Sequence, residues 1–308
     1  MTIKKATTLE EQIGILKSRG LIVEDFNDAK LFIQNINYYR FTAYLIKYKE
    51  KDNSYKPGIK FNDIKNIYFF DQELRHLVVS ALEIVEIVEL SFITYIAYTI
   101  ALLCGLLGYL ESNNFIDSKE IEKGFLKDYE KEIKRKHDKI MNDIYTSIDD
   151  NKNKLFIRHH NKKYNGEIPI WVLVEVISFG TISRIYKLLT TGQQMFINKN
   201  LCSASRILLK SWVGSLNKLR NECAHYGRLY GVTLPKIKIA NKYKDNKVSI
   251  YDDTKLFAYI LAIKDLIYSK DIWRIFVSSL HTLLDKHSGT INLYEIGFPE
   301  DWFEVLSK

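Results

Sequence analysis

An all-α protein, a multi-helix bundle with N-terminal helical elements and a charged insertion, is what this sequence predicts, on three observations. Four prolines and fourteen glycines in 308 residues are too few for the turns of an all-β fold. Apolar residues recur at three- and four-residue steps along most of the chain, the spacing of helices that bury one stripe. A hydrophobic content of 46% supplies the core that such helices need.

Thr8 to Arg19 is expected as a short helix with Leu9, Ile13 and Leu16 inward, ended by Gly20. Asn27 or Asp28 can cap the next helix, through Leu31, Ile36 and the run Tyr38-Tyr39-Arg40-Phe41-Thr42-Ala43-Tyr44 to about Tyr48. Aromatics around an arginine could stack bases; the same run also suits core packing with the arginine satisfying a carboxylate. Asn53 to Gly58 is a loop. Phe61 to Leu90 reads as a long helix in which Asp71 and Arg75 pair one turn apart.

Ser91 to Leu110 extends that helix through twenty uncharged residues. The length would span a bilayer. Glutamates at both ends (Glu89, Glu111), the lack of basic anchors, and the polar groups of Ser91, Thr94, Tyr95, Tyr98 and Thr99 favour a wholly buried helix. A membrane-acting toxin built on this stretch is the competing reading.

From Glu111 the composition turns to Lys, Glu, Asp, Asn and His, and about 111–165 reads as an insertion. The chain is accordingly divided into an N-terminal helical region, 1–60, and a main helical domain, 61–308, although one contiguous unit also fits. Pro169 opens a helix from Ile170 to Val176, Gly180 interrupts it, and Ile182 to Leu189 resumes it. Tyr251 to Leu284 supplies one or two more helices, and Ile296-Gly297-Phe298-Pro299-Glu300-Asp301-Trp302 closes the chain.

Forty-five lysines and arginines against 37 acids leave a net charge of +8. That balance suits a polyanionic partner but does not identify one. The basic segment Lys152 to Lys163 (Lys152, Lys154, Arg158, Lys162, Lys163) is expected as a phosphate-contacting loop. Pro235 to Val248 (Lys236, Lys238, Lys242, Lys244, with Tyr243 interleaved) is expected as a second basic loop or hairpin. Arg40 and Arg75 complete the candidate RNA contacts. Neither His159 nor His160 has a second ligand at helical spacing, so no metal site and no cofactor is predicted. H-E-x-x-H, Walker A, G-x-G-x-x-G and G-x-S-x-G patterns are absent. Cys104, Cys202 and Cys223 are isolated thiols, and the polar start Met1 to Leu9 is unlike a signal peptide; a reducing cytoplasm fits both.

The candidate catalytic residues lie in Leu216 to Tyr230, where Arg220, Asn221 and His225 form an R-N-x-x-x-H series. Leu208, Trp212, Leu216, Leu219, Cys223 and Tyr226 mark the buried stripe of the helix that carries it. Asn221 and His225 fall one turn apart on the opposite side with Gly214, Asn217 and Lys218, a face left free for a symmetry mate. Asn221 can hydrogen-bond the imidazole, and Gly227 reads as the C-terminal cap. Arg220 stands about 140° round the helix from His225, so a long side chain or a second copy of the helix is needed to bring both to one phosphate.

The R-x4-H series resembles the active-site motif of HEPN domains, a helical superfamily with many metal-independent ribonucleases. Together with Asn37 to Tyr44, Phe70-Asp71-Gln72-Glu73-Leu74-Arg75, Ile96-Ala97-Tyr98, Pro169-Ile170-Trp171 with Phe179-Gly180, and Gly297 to Trp302, it makes the chain resemble bacterial abortive-infection proteins of the AbiD/AbiF type. The resemblance implies a HEPN-like bundle and an endoribonuclease in phage defence or a toxin. It further implies substrate RNA and a small noncoding RNA as restraint; because one R-x4-H supplies one histidine, acid and base together suggest two copies of the helix and hence a homodimer. A non-catalytic RNA-binding or antitoxin-like module is the alternative. One departure is Ile93, which stands where many relatives carry a basic residue before the I-A-Y segment.

Overall fold

The structure is a computed structural model that describes residues 5–118, 126–201, 204–243, 251–267 and 269–308, apart from the side chains of 84, 86–89, 126 and 127. It is all-α: among the described residues there is no β-strand, only isolated bridges between Ile22 and Lys60 and between Lys49 and Tyr55.

Helix α1 (Leu9–Ser18) begins with a capping box in which Thr8 and Glu11 satisfy each other's amides. Helix α2 (Phe26–Ile36) is capped by Asp25, not by Asn27 or Asp28. The expected single helix from there to Tyr48 is two, because Asn37 takes a left-handed φ of 73° and its side chain caps α3 (Tyr38–Leu45). Asparagine tolerates that conformation better than most residues.

Helix α4 (Phe61–Cys104) is one 44-residue element, stopped at Gly105 with φ +87°. Phe70, Leu74, Val78, Val85, Phe92, Ile96 and Ile100 mark its buried side. Helices α2 and α3 pack on its first third, where Phe32 meets Phe61 and Tyr68 edge-on and Phe41 stacks on Phe61 at 4.3 Å, while α1 packs on α2. Its last third corrects the expectation of total burial. Phe92, Ile96, Ala97 and Ile100 are buried, but Tyr98, Leu102 and Leu103 are 52–58% exposed. No helix among the described residues is long and apolar enough to cross a membrane. Ile93 is half-buried and packs against the core.

The charged segment forms α5 (Leu126–Asp150), with Ile133, Ile140, Met141 and Ile144 inward, and α6 (Leu155–Lys163). Lys152 to Lys163 is therefore mostly helix and not a loop. Helices α7 (Ile170–Leu173) and α8 (Phe179–Leu188) follow; Gly180 lies in the first turn of α8, and the break is the stretch before Ser178, its N-cap. Helix α9 (Thr191–Leu201) packs along α4, and α10 (Arg206–Ala224) packs on α4 and α8. Helices α11 (Leu256–Leu266), α12 (Lys270–Lys286) and α13 (Trp302–Ser307) complete the bundle. In α11 Leu256 to Ile263 are all buried, which places it at the centre of the core.

Candidate functional site

Ser205 caps α10 by accepting the Leu208 amide. Leu209, Trp212, Val213, Leu216, Leu219 and Cys223 are buried. Trp212 Nε1 donates to the Lys238 carbonyl at 2.7 Å and Ser215 Oγ to that of Lys236 at 3.3 Å, so the segment after the helix is strapped along its flank. The expected stripe is corrected at its end: Tyr226 is 67% exposed.

The helix stops because Tyr226, not Gly227, turns left-handed, with φ 58°. His225 is the C-cap residue. The Gly227 amide donates to Glu222 O at 2.6 Å and the Tyr226 amide to Cys223 O at 3.1 Å, the two bonds of a Schellman turn. Gly227 is required for closeness instead of handedness: a Cβ there would overlap the Glu222 carboxylate and sit 2.8 Å from the Glu222 backbone oxygen.

Residues 226–230 are then clamped from three sides. Asp71 is fully buried and accepts the Leu229 amide at 3.0 Å and the Tyr230 amide at 2.8 Å. The same carboxylate takes Tyr44 Oη at 2.5 Å and Arg75 Nη1 at 2.7 Å. Arg75 Nη1 also reaches Gly227 O at 3.3 Å. Burial pushes the Asp71 carboxyl above the usual carboxylate range while these donors pull it back. Burial and the Asp71 charge push the Tyr44 hydroxyl up, so it stays a donor. Arg228 donates to Ala43 O with its guanidinium 5.3 Å from the Tyr44 ring. Arg40 donates to Tyr226 O at 3.3 Å and lies 5.7 Å from the Tyr226 ring.

At the end of this fixed turn Arg220, Asn221 and His225 are all exposed. Among the described residues none of these three side chains has a hydrogen bond or ion pair, so the expected bond from Asn221 to the imidazole is not formed. Gly214 and Asn217 are not free for a symmetry mate, because α8 covers them: Lys187 lies over Gly214, and the Asn217 amide nitrogen is 3.6 Å from where a Gly180 Cβ would be. One groove beside the turn, of about 670 Å³, is lined by Gln34, Asn37, Tyr38, Tyr39, Arg40 and Tyr226 among others. A second, of about 570 Å³, is lined by Lys218, Asn221, Glu222 and Arg228 with residues 232–235.

Two candidate RNA contacts are corrected. Arg75 is 4% exposed and spent on Asp71 and Gly227, so it cannot reach a phosphate. Tyr243 is 7% exposed and donates to Asp265 at 2.6 Å, which removes it from the candidate RNA contacts. Lys152, Lys154, Arg158, Lys162 and Lys163 are exposed, and Ile157 is the one buried residue of α6. Lys152 pairs with Asp149 at 3.0 Å. Lys236 and Lys238 are exposed, Lys242 pairs with Asp265 at 2.6 Å, and Lys244 lies outside the described residues. Among the described residues no three His, Cys, Asp or Glu side chains are grouped to hold a metal ion.

Sequence reasoning missed what the clamp holds. The available signal was an aspartate and an arginine one turn apart inside an apolar helix, a buried charge that had to find further donors.

Fold and site together define an all-helical protein that presents an arginine, asparagine and histidine series at the clamped end of one helix. The chain belongs to the Abi-like protein family, whose model matches residues 31–231. That range runs from α2 to the residue after the second amide held by Asp71, and membership points to abortive infection, a form of phage defence. No curated protein and no solved structure matches the chain.

Proposed function

We propose that the protein is a HEPN-type, metal-independent endoribonuclease that acts in the cytoplasm in abortive infection or as a toxin, held in check by a small structured RNA. The observation that carries this reading is the contrast at the end of α10: residues 226–230 are clamped by buried groups, while the three side chains just before them are left exposed and unpaired. A polar series with no structural partner on a rigid support is what a substrate-facing site requires.

RNA carries its own nucleophile. The 2′-oxygen bonds to phosphorus, a base takes the 2′ proton, the bond to O5′ breaks, and an acid protonates O5′. The products are a 2′,3′-cyclic phosphate and a 5′-hydroxyl. His225 exchanges the proton, Arg220 stabilises the charge on the pentacoordinate phosphate, and Asn221 orients a phosphate oxygen. One series supplies one histidine, so acid and base together call for a homodimer. Lys154, the N-cap residue of α6, and Arg158 and Lys162 at four-residue steps beyond it, with Arg40, Lys236 and Lys238, hold the RNA backbone.

A second reading, an RNA-binding module without catalysis, is favoured by the missing bond between Asn221 and His225. Cleavage of end-labelled RNA by wild type, by His225→Ala and by wild type in chelator decides between them. Chelator-resistant cleavage to cyclic-phosphate ends that is lost in His225→Ala supports the enzyme. Persistent cleavage in His225→Ala, or 5′-phosphate ends, refutes it.

A further inference from the structure

Where α8 crosses α10, the side chain of Lys187 folds down over Gly214. A Cβ at position 214 would lie 2.5 Å from Lys187 Nζ and 3.2 Å from its Cε, so the missing side chain is what lets the ammonium settle there. Lys187 is exposed as a residue, yet partial burial of its charge, together with the charge of Lys218, pushes its pKa down. Arg184, one turn earlier on α8, has its own carboxylate in Asp143 at 2.5 Å. Among the described residues Lys187 and Lys218 have no carboxylate within ion-pair distance.

The Lys218 charge disfavours the desolvated Lys187 ammonium in the free protein, and a lysine has ample freedom to swing into solvent instead. The position of the pair is informative. At 100° per residue Gly214, Lys218, Asn221 and His225 fall within about 60° of one another round α10. Lys218 is about 10 Å and Gly214 about 16 Å before His225 along the axis. Ser183 Oγ, 3.5 Å from where the Gly214 Cβ would be, and Asn217 add neutral donors beside the cations.

We propose that Lys187 and Lys218, over the floor made by Gly214, form a backbone-phosphate site that lays a single RNA strand along α10 toward His225. The direction of the strand rests on the ribonuclease reading; the site itself needs only a polynucleotide. An anion between the two ammoniums replaces their repulsion with two charge-assisted hydrogen bonds.

The test uses the full chain and a single-stranded oligoribonucleotide methylated at every 2′-oxygen, which cannot be cleaved. Lys187→Gln and Lys218→Gln should each weaken binding roughly 3- to 10-fold and flatten the slope of log affinity against log salt by about 0.7. Lys187→Arg should keep most of the affinity. Thermal midpoints of the glutamine variants should stay level or rise, because a repulsion has been removed; a purely structural role would lower them. Wild-type affinity and slope in both variants would overturn the site, as would loss of binding that merely follows loss of stability. Polyglutamate bound as tightly and with the same lysine dependence would assign the surface to an acidic protein and also overturn it. Unmodified RNA is tested alongside: lysine-dependent binding without cleavage upholds the site and removes the enzyme, whereas cleavage with unchanged binding in both variants removes the site alone.

Discussion

Asp71 accepts the backbone amide of Tyr230 at 2.8 Å across 159 positions of sequence. One carboxylate thereby ties the first third of α4 to the turn that follows His225, and it also neutralises Arg75. Asp71→Ala leaves a buried guanidinium without its partner and two amides without an acceptor, which should cost about 3–5 kcal/mol. Denaturant unfolding measures this. Faster hydrogen exchange at Leu229 and Tyr230 should accompany it, and a loss below about 1 kcal/mol would show that the clamp does not support the turn.

Gly227→Ala should destabilise the protein by about 1–3 kcal/mol, because the added carbon meets Glu222. Removing the Glu222 side chain should restore only part of this, since the 2.8 Å approach to the Glu222 backbone oxygen remains. Tyr226→Gly should change stability by less than about 1 kcal/mol, as relief of the left-handed backbone offsets loss of the ring beside Arg40. Thermal unfolding of the three variants gives the comparison, and full recovery in the Glu222 double variant would contradict it.

His225→Ala and Arg220→Ala should each leave stability within about 0.5 kcal/mol, because both side chains are exposed and unpaired. Each should lose most RNA cleavage, and the double variant should lose little more than either single one if they act on one phosphate. Strict multiplication of the two losses would show that they act independently.

Burial pushes the Cys223 thiol up to about 12 from an ordinary value of 9.0. A raised folded pKa means that the stability from keeping this thiol neutral is fully present below about pH 9 and is lost as pH rises toward 12. Wild type should therefore lose stability faster between pH 9 and 11 than Cys223→Ser, which has no such proton. In the folded state Cys223 should resist alkylation at pH 8, and labelling as fast as a free peptide thiol would contradict its burial.

The helices were legible wherever one apolar stripe repeats, as in α4 and α10. Legibility failed where the period continued past a backbone break. Tyr226 extends the stripe of α10 on paper, but its left-handed φ turns the ring outward, and Asn37 divides what looked like one helix in the same way. Helix α6 escaped notice because it buries only Ile157, and one contact makes no stripe. The pairing of Asp71 with Arg75 followed from spacing. Its link to residues 229 and 230 did not, because no local pattern records a contact between segments so far apart. Tyr243 was misplaced because its lysine neighbours suggested a wet surface, while Asp265 on α11 draws its hydroxyl inward. Lys187 could be noticed only once α8 was seen lying across Gly214.

Because Asp71 is translated 158 residues before Leu229, the nascent chain carries its carboxylate and guanidinium long before the amides that complete the clamp exist. At 5–20 residues per second the interval is roughly 8–30 s. A ribosome that stalls anywhere in it releases a product with no fixed turn after α10. For a protein whose proposed activity harms its own cell, assembly of the active end is thus deferred until most of the polypeptide has been made, and prematurely ended chains are expected to be inert.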